Sequence, residues 1–286
     1  MGIYDHSVEV ARRTMVLFFV VDCSGSMSGA KIGTVNSAIE EIVPELRDTS
    51  ENNADAQIKI ATLAFSTGAE WINPPIAAEN FNWTYLDACG VTDLGEACNQ
   101  LNEKLSKNAF MGEARGSFAP AIFLLSDGEP TDDYKHGLEK LKKNNWFKKA
   151  IKVAIAIGND ANKSVLADFT GSSESVITVH SPEALKKWIK FVSVRSSEIG
   201  SKSSSTRTES HSSSSTRSAD AGLSDGLTSS GVTDSQLNSV KAQNSVDSFN
   251  WSDWDNIENK NDALTDAIKN EMETNPDMKD DAWGEW

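Results

Sequence analysis

Phe19-Val20-Val21-Asp22-Cys23-Ser24-Gly25-Ser26-Met27-Ser28-Gly29 is the stretch on which the fold turns. An apolar, β-type run over residues 15–21 ends abruptly in an Asp-x-Ser-x-Ser loop, and a helical pattern starts just after it. One carboxylate and two hydroxyls therefore sit on a tight turn at the carboxyl end of a strand. Hard oxygen donors on a small loop suit Mg²⁺ better than Zn²⁺. Ser and Asp are also ordinary turn and N-cap residues, so the loop alone fits a plain turn as well. Two further loops bear on the choice.

The same apolar texture recurs at residues 58–65, 121–125 and 153–157, and more weakly at 176–179. Parallel strands buried on both faces read this way. Between them lie helical stripes. Ile32, Val35, Ile39, Ile42, Val43 and Leu46 form one, and Leu94, Ala97, Cys98, Leu101 and Leu105 another. Leu138, Leu141 and Trp146 form a third, and Ala184, Leu185, Trp188, Ile189 and Val192 close the series. The alternation predicts an α/β fold, a doubly wound and mostly parallel sheet, over residues 12–195. Residues 70–76 read as a hairpin strand at the sheet edge, ended by Pro74-Pro75.

Gly90-Val91-Thr92-Asp93-Leu94-Gly95 precedes a helical run and offers the hydroxyl of Thr92. Leu124-Leu125-Ser126-Asp127-Gly128-Glu129-Pro130-Thr131-Asp132 follows an apolar strand and offers the carboxylate of Asp127. In a doubly wound sheet, ligands bind outside the carboxyl ends of strands where the winding direction reverses. If the strands at 18–21 and 122–125 are neighbours there, Asp22, Ser24, Ser26, Thr92 and Asp127 surround one divalent cation. A ligand charge of about −2 only just balances that ion, which invites an outside carboxylate or phosphate as a further ligand. Asp93 and Asp132 read as helix caps or first-turn acids favoured by the helix dipole. Glu129 reads as a surface turn residue, with polarisation of a metal-bound water as the alternative.

Net charge is −15 over 286 residues, which argues against a nucleic-acid partner. Residues 247–286 carry three lysines against twelve acids. Cys23, Cys89 and Cys98 show no metal or redox spacing and read as reduced, mostly buried thiols; a Cys89–Cys98 disulfide is the weaker option. The four histidines do not cluster, which disfavours a zinc or His-based centre. The N-terminus lacks a signal-peptide pattern, His6 breaks the myristoylation pattern, and no apolar run approaches the ~18 residues of a membrane span. These features lead to the expectation of a soluble, cytoplasmic protein.

After Ile199 the texture changes. Residues 200–246 read as a Ser-rich disordered linker, with phosphorylation of its serines as a possible added role. Residues 247–286 read as an acidic interaction tail bearing Trp251, Trp254, Trp283 and Trp286. Trp254, Ile257, Leu264, Ile268 and Met272 fall near one helical face, and Pro276 is a stop. Docking of this tail on a partner is favoured over a chance clustering of tryptophans, and folding back on its own domain is a third reading.

Asp22-x-Ser24-x-Ser26, then Thr92, then Asp127 in Ser-Asp-Gly, resembles the metal-ion-dependent adhesion site of von Willebrand factor A domains. The resemblance covers residues 12–195. Within that superfamily, Asp22-Cys-Ser-Gly-Ser-Met-Ser-Gly and Leu-Ser-Asp-Gly-Glu-Pro-Thr-Asp are most similar to TerY-type proteins of bacterial tellurite-resistance and stress operons. The resemblance implies non-enzymatic, Mg²⁺- or Mn²⁺-dependent protein binding in the cytoplasm. It also implies a partner that donates an acidic ligand, with a kinase or phosphatase as candidate. The serine tract and the Trp-rich tail depart from the compact pattern of those proteins. One rival is a Mg²⁺-dependent phosphoryl-transfer or hydrolysis enzyme, against which stands the lack of a Gly-x-x-x-x-Gly-Lys-Ser/Thr loop. A second rival is a scaffold acting through its tail.

Overall fold

The computed structural model describes residues 12–205, apart from 55, 114, 115, 159 and 180, together with residues 258–274. Six strands form one sheet: β1 (Arg13–Asp22), β2 (Ala56–Ser66), β3 (Gly68–Ala77), β4 (Ala121–Ser126), β5 (Ile151–Ile157) and β6 (Val176–Val179). Their order is β3-β2-β1-β4-β5-β6, and only β3 runs antiparallel. The helices are α1 (Ala30–Asn52), α2 (Leu94–Lys104), α3 (Tyr134–Lys143), α4 (Asn145–Lys149), α5 (Lys163–Thr170), α6 (Pro182–Ser205) and α7 (Glu258–Thr274). This is the doubly wound α/β sheet expected from the alternating textures.

The unbroken apolar run of β1 follows from its place in the middle. Met15, Leu17, Phe19 and Val21 pack on one face with Val35 and Ile39 of α1 and Leu185, Trp188 and Ile189 of α6. Val16, Phe18 and Val20 pack on the other face with Leu94, Ala97 and Leu101 of α2, Leu138 and Leu141 of α3, and Leu166 and Phe169 of α5. Side chains alternate across a strand, so both sets must be apolar when helices cover both faces. Burying each such side chain contributes roughly 1.5–3 kcal/mol.

Several local expectations are corrected. β3 does not end at Pro74-Pro75 but runs through them to Ala77. It is an edge strand, so it needs ladder donors on one side only. Its register with β2 shifts between Ile60 and Thr62. There the Asn73 side chain donates to the Ile60 carbonyl at 3.0 Å and to Pro74 O at 2.9 Å, supplying the donor that the prolines lack. The stripe of Leu138, Leu141 and Trp146 is two helices rather than one. Asn144 ends α3 and caps α4, its side chain accepting from the Trp146 and Phe147 N–H groups. Helix α5 was not anticipated. Its signals are nonetheless present: Asn162 caps it, accepting from Ser164 N and Val165 N, and Gly171 closes it in the left-handed region.

Helix α6 continues through Gly200 to Ser205, into the stretch expected to be linker. Extending a formed helix costs far less than nucleating one, so a few serines do not stop it. The rest of the expected linker and all four tail tryptophans lie outside the described residues.

Helix α7 packs on the domain itself. Leu264 and Ile268 are 2% and 1% exposed and join the core beside α6, with Met272 against it. The helix lies against α6, β5 and the turn Ser173–Ser175. The Thr265 hydroxyl is 3.4 Å from that of Ser175, and Lys269 Nζ is 2.6 Å from Glu174. The apolar stripe expected to dock on a partner is thus buried in cis, at least for these residues. Among the described residues no helix is long and apolar enough to cross a membrane.

Candidate metal centre

β1 and β4 are parallel neighbours, with Val21 beside Leu125. The chain leaves β1 for β2 on one side and returns to β4 on the other, so the winding reverses between them. Asp22 ends β1 and Asp127 follows β4, both at the carboxyl ends of these strands. Asp22, Ser24, Thr92 and Asp127 are buried, and Ser26 is exposed.

Each group is held by named partners. Asp22 Oδ1 accepts from the Ser24 N–H at 2.9 Å, and Oδ2 from the Ser126 hydroxyl at 2.6 Å. Ser126 Oγ in turn accepts from the Gly128 N–H at 2.7 Å. Gly128 has φ +76°, and a Cβ there would come within 2.8 Å of the Asn162 carbonyl, so Ser-Asp-Gly requires its glycine. Asn162 N donates to the Asp127 carbonyl at 2.7 Å, tying this loop to the cap of α5. The hydroxyls of Ser24 and Ser26 lie 3.0 Å apart.

The Thr92 loop is stitched to the other two. Cys89 N donates to Cys23 O at 2.7 Å, and Gly25 N donates to Gly90 O at 3.1 Å. Thr131 N donates to Thr92 O at 2.9 Å, while Thr92 N donates to the Thr131 hydroxyl at 3.0 Å. All three predicted loops therefore meet at one edge of the sheet.

The electrostatics of this edge are unbalanced. Asp127 Oδ1 is buried without a hydrogen-bond partner. An unpaired buried acceptor on a charged group costs at least about 1–3 kcal/mol. Burial pushes the Asp22 carboxyl above the usual range, opposed by the hydrogen bonds from Ser126 and Ser24 and reinforced by the charge of Asp127. A cation between the two carboxylates would relieve both penalties. Among the described residues no group of three His, Cys, Asp or Glu could hold a metal. A metal at this edge would rest on two carboxylates and neighbouring hydroxyls, a hard-oxygen donor set that fits Mg²⁺ or Mn²⁺.

The remaining acids have structural partners. Asp132 accepts from Gly95 N at 3.1 Å and Glu96 N at 3.2 Å, so it caps α2 rather than the helix that follows it. The pairing of Thr92 with Thr131 brings the start of α2 to it. Asp93 occupies the N-cap position of α2, yet its carboxylate accepts from Gly68 N at 2.8 Å. Asp133 caps α3. Glu129 is exposed and accepts from Asn162 Nδ2 at 3.2 Å. Sequence reasoning missed Ser126, Thr131, Lys31 and Asp160 around this edge. Ser126 and Thr131 stood in the quoted loop, whereas Lys31 and Asp160 had no signal linking them.

The cysteines are free, with Cys23 and Cys98 buried and Cys89 exposed. Burial pushes the thiols of Cys23 and Cys98 up to about 12. Both stay protonated well below that pH and are poor nucleophiles. Iodoacetamide at pH 8 is therefore expected to label the folded protein at Cys89 and to reach Cys23 and Cys98 only in denaturant. Peptide mapping that finds Cys23 labelled in the folded protein would contradict this.

The family model "von Willebrand factor type A domain" matches residues 17–190. Human inter-alpha-trypsin inhibitor heavy chain H4 is 33% identical over 124 residues, which are 40% of this chain and 12% of that one. Among solved structures, the pilus adhesin SpaC from Lactobacillus rhamnosus GG aligns at TM-score 0.51 and 13% identity, over 66% of this chain and 31% of that one. Proximal thread matrix protein 1 from the mussel byssus, in a form with a zinc-occupied metal-ion-dependent adhesion motif, aligns at TM-score 0.48 and 17% identity, over 65% and 48%. The chain thus spans less than two thirds of each of these proteins. The family match covers more than half of the chain, and the three loops meet where its sheet reverses: this chain belongs to the von Willebrand factor type A domain family.

Proposed function

We propose that this chain is a non-enzymatic protein-binding module whose grip depends on a divalent metal. Asp22, Ser24, Ser26, Thr92 and Asp127 hold Mg²⁺ or Mn²⁺, and an acidic side chain of the partner completes the shell. Domains of this family commonly bind a divalent metal and mediate protein–protein interactions. The observation that carries the reading is the buried, unpartnered Asp127 Oδ1 at the same sheet edge as buried Asp22. Two anionic ligands leave a divalent ion close to neutral, so a partner carboxylate can still be attracted.

The resemblance to TerY-type proteins supports a finer reading: a cytoplasmic component of bacterial stress or tellurite-resistance signalling, with a kinase or phosphatase as partner. Against a phosphoryl-transfer enzyme, the sequence offers no phosphate-cradling glycine motif. Against a scaffold working through its tail stripe, Leu264 and Ile268 are already buried on the domain.

The test is capture of partners by immobilised full-length protein in Mg²⁺, in chelator, and with Asp127→Asn. A partner retained only by the wild type in Mg²⁺ is expected, together with no turnover of nucleotides or phosphate esters. Capture that survives both chelator and Asp127→Asn would overturn the metal-dependent reading. Measurable turnover lost in Asp127→Asn would make the chain an enzyme.

A further inference from the structure

Lys31 lies in the first turn of α1, and only 9% of its surface is exposed. A lysine this buried needs a partner for its charge. Its Nζ is 3.3 Å from Asp127 Oδ2 and 2.9 and 3.0 Å from the two oxygens of Asp160. The ammonium in turn holds the Asp160 carboxyl below its usual range. Asp160 follows β5, a strand that supplies none of the five metal candidates. The end of that strand is shaped around the ammonium. Gly158 has φ +90°, and a Cβ there would lie 2.9 Å from Lys31 Cε and 2.7 Å from Asp160 Oδ1. Room for the lysine thus depends on a backbone conformation that other residues rarely adopt.

The two oxygens of Asp127 are divided. Oδ2 faces Lys31, whereas Oδ1 is buried and unpartnered. We propose that Lys31 is a built-in counter-charge of the metal site. Its ammonium is the counter-charge of Asp127 in the metal-free state, so it sets how tightly the metal is held. This rests on the metal-binding reading above. Without metal, Lys31 offsets one of two carboxylates buried at one edge. With metal, a unit positive charge stands one carboxylate away from a divalent cation, and like charges repel strongly where water is excluded. Asp160 moderates that repulsion by sharing the ammonium.

Two variants should therefore move in opposite directions. Lys31→Met keeps the stem and removes the charge. Asp127 remains fixed by burial and by the backbone bond from Asn162, so loss of repulsion dominates. Asp160→Asn alters a side chain that is 71% exposed, and leaves the ammonium to Asp127 alone.

Calorimetric titration of the full chain with Mn²⁺ alone, and melting in chelator, give the readouts. Lys31→Met is expected to bind Mn²⁺ about tenfold more tightly, about 1.4 kcal/mol, and to melt several degrees lower in chelator. Asp160→Asn is expected to bind a few-fold more weakly, with its melting in chelator little changed. Equal or weaker binding in Lys31→Met, with normal binding by the wild type, overturns the counter-charge role and leaves the metal site standing. If Lys31→Met does not fold, Asp160→Asn decides: affinity equal to or above wild type overturns the proposal. No binding by the wild type overturns both readings.

Discussion

Asp127→Asn is expected to lose divalent-metal binding by at least about a hundredfold, about 2.7 kcal/mol, while melting in chelator stays within a degree or two of wild type. The side chain keeps its shape, so packing at the head of β4 is preserved. What would disappear is one of the two carboxylates proposed to hold a doubly charged ion, at a buried position where charge is poorly screened. Lys31 loses an ionic partner but retains Asp160, so no lone charge is left buried. Asp22 is the less clean position. Its two oxygens accept from Ser24 N and from the Ser126 hydroxyl. Asp22→Ala strands both donors, at about 1–3 kcal/mol each, and so weakens the loop as well as the metal site. The contrast separates a ligand from a structural acid. Both variants should fail to titrate with Mg²⁺ or Mn²⁺, and only the Asp22 variant should melt markedly lower in chelator. An Asp127→Asn protein that titrates like wild type would remove Asp127 from the site.

The sheet was legible because its physics is local. An apolar β-branched run with helical stripes on either side has to be a strand covered on both faces, and β1, β2, β4, β5 and β6 all lie where such runs stand. The edge strand was harder. Pro74 and Pro75 read as a stop, and only the facing strand shows that Asn73 replaces their missing donors. Helix α5 is short, and three apolar residues, Val165, Leu166 and Phe169, make too brief a stripe to stand out from a loop. At the candidate site, the loops could be read because strand–loop–helix order fixes their edge of the sheet. The groups around them could not. Lys31 and Asp160 are 129 residues apart, and no periodicity connects them. Asp132 was legible as a cap, but which helix it caps depends on a tertiary contact. The stripe of α7 shows the same limit. A sequence reveals that a helix has an apolar face, and not which surface receives it.

Leu264→Ala combined with Ile268→Ala is expected to destabilise the protein by several kcal/mol and to lower its melting temperature by several degrees. Each residue is almost fully buried, on a helix that packs against α6 and β5. Truncating a core Leu or Ile typically costs about 2–5 kcal/mol. A docked helix that can detach limits the sum, because once α7 leaves, further truncation costs nothing. The opposing term is the entropy of closing the connection between Ser205 and Glu258, on the order of fifty residues. Such a cost grows only with the logarithm of length, so the separation in sequence does not forbid docking. The ion pair of Lys269 with Glu174 is half exposed on both sides, and Lys269→Ala should leave the unfolding midpoint nearly unchanged. Removing residues 247–286 should match the double variant and uncover an apolar strip beside α6, which a hydrophobic dye would report. Metal affinity should not follow. Helix α7 meets the turn Ser173–Ser175, which enters β6 at its amino end, whereas the candidate metal loops lie at the carboxyl ends of the parallel strands. Urea unfolding of the three proteins, with a Mn²⁺ titration of each, checks both halves. Equal unfolding midpoints would mean that α7 does not hold to its own domain in solution, and its stripe would again be free for a partner.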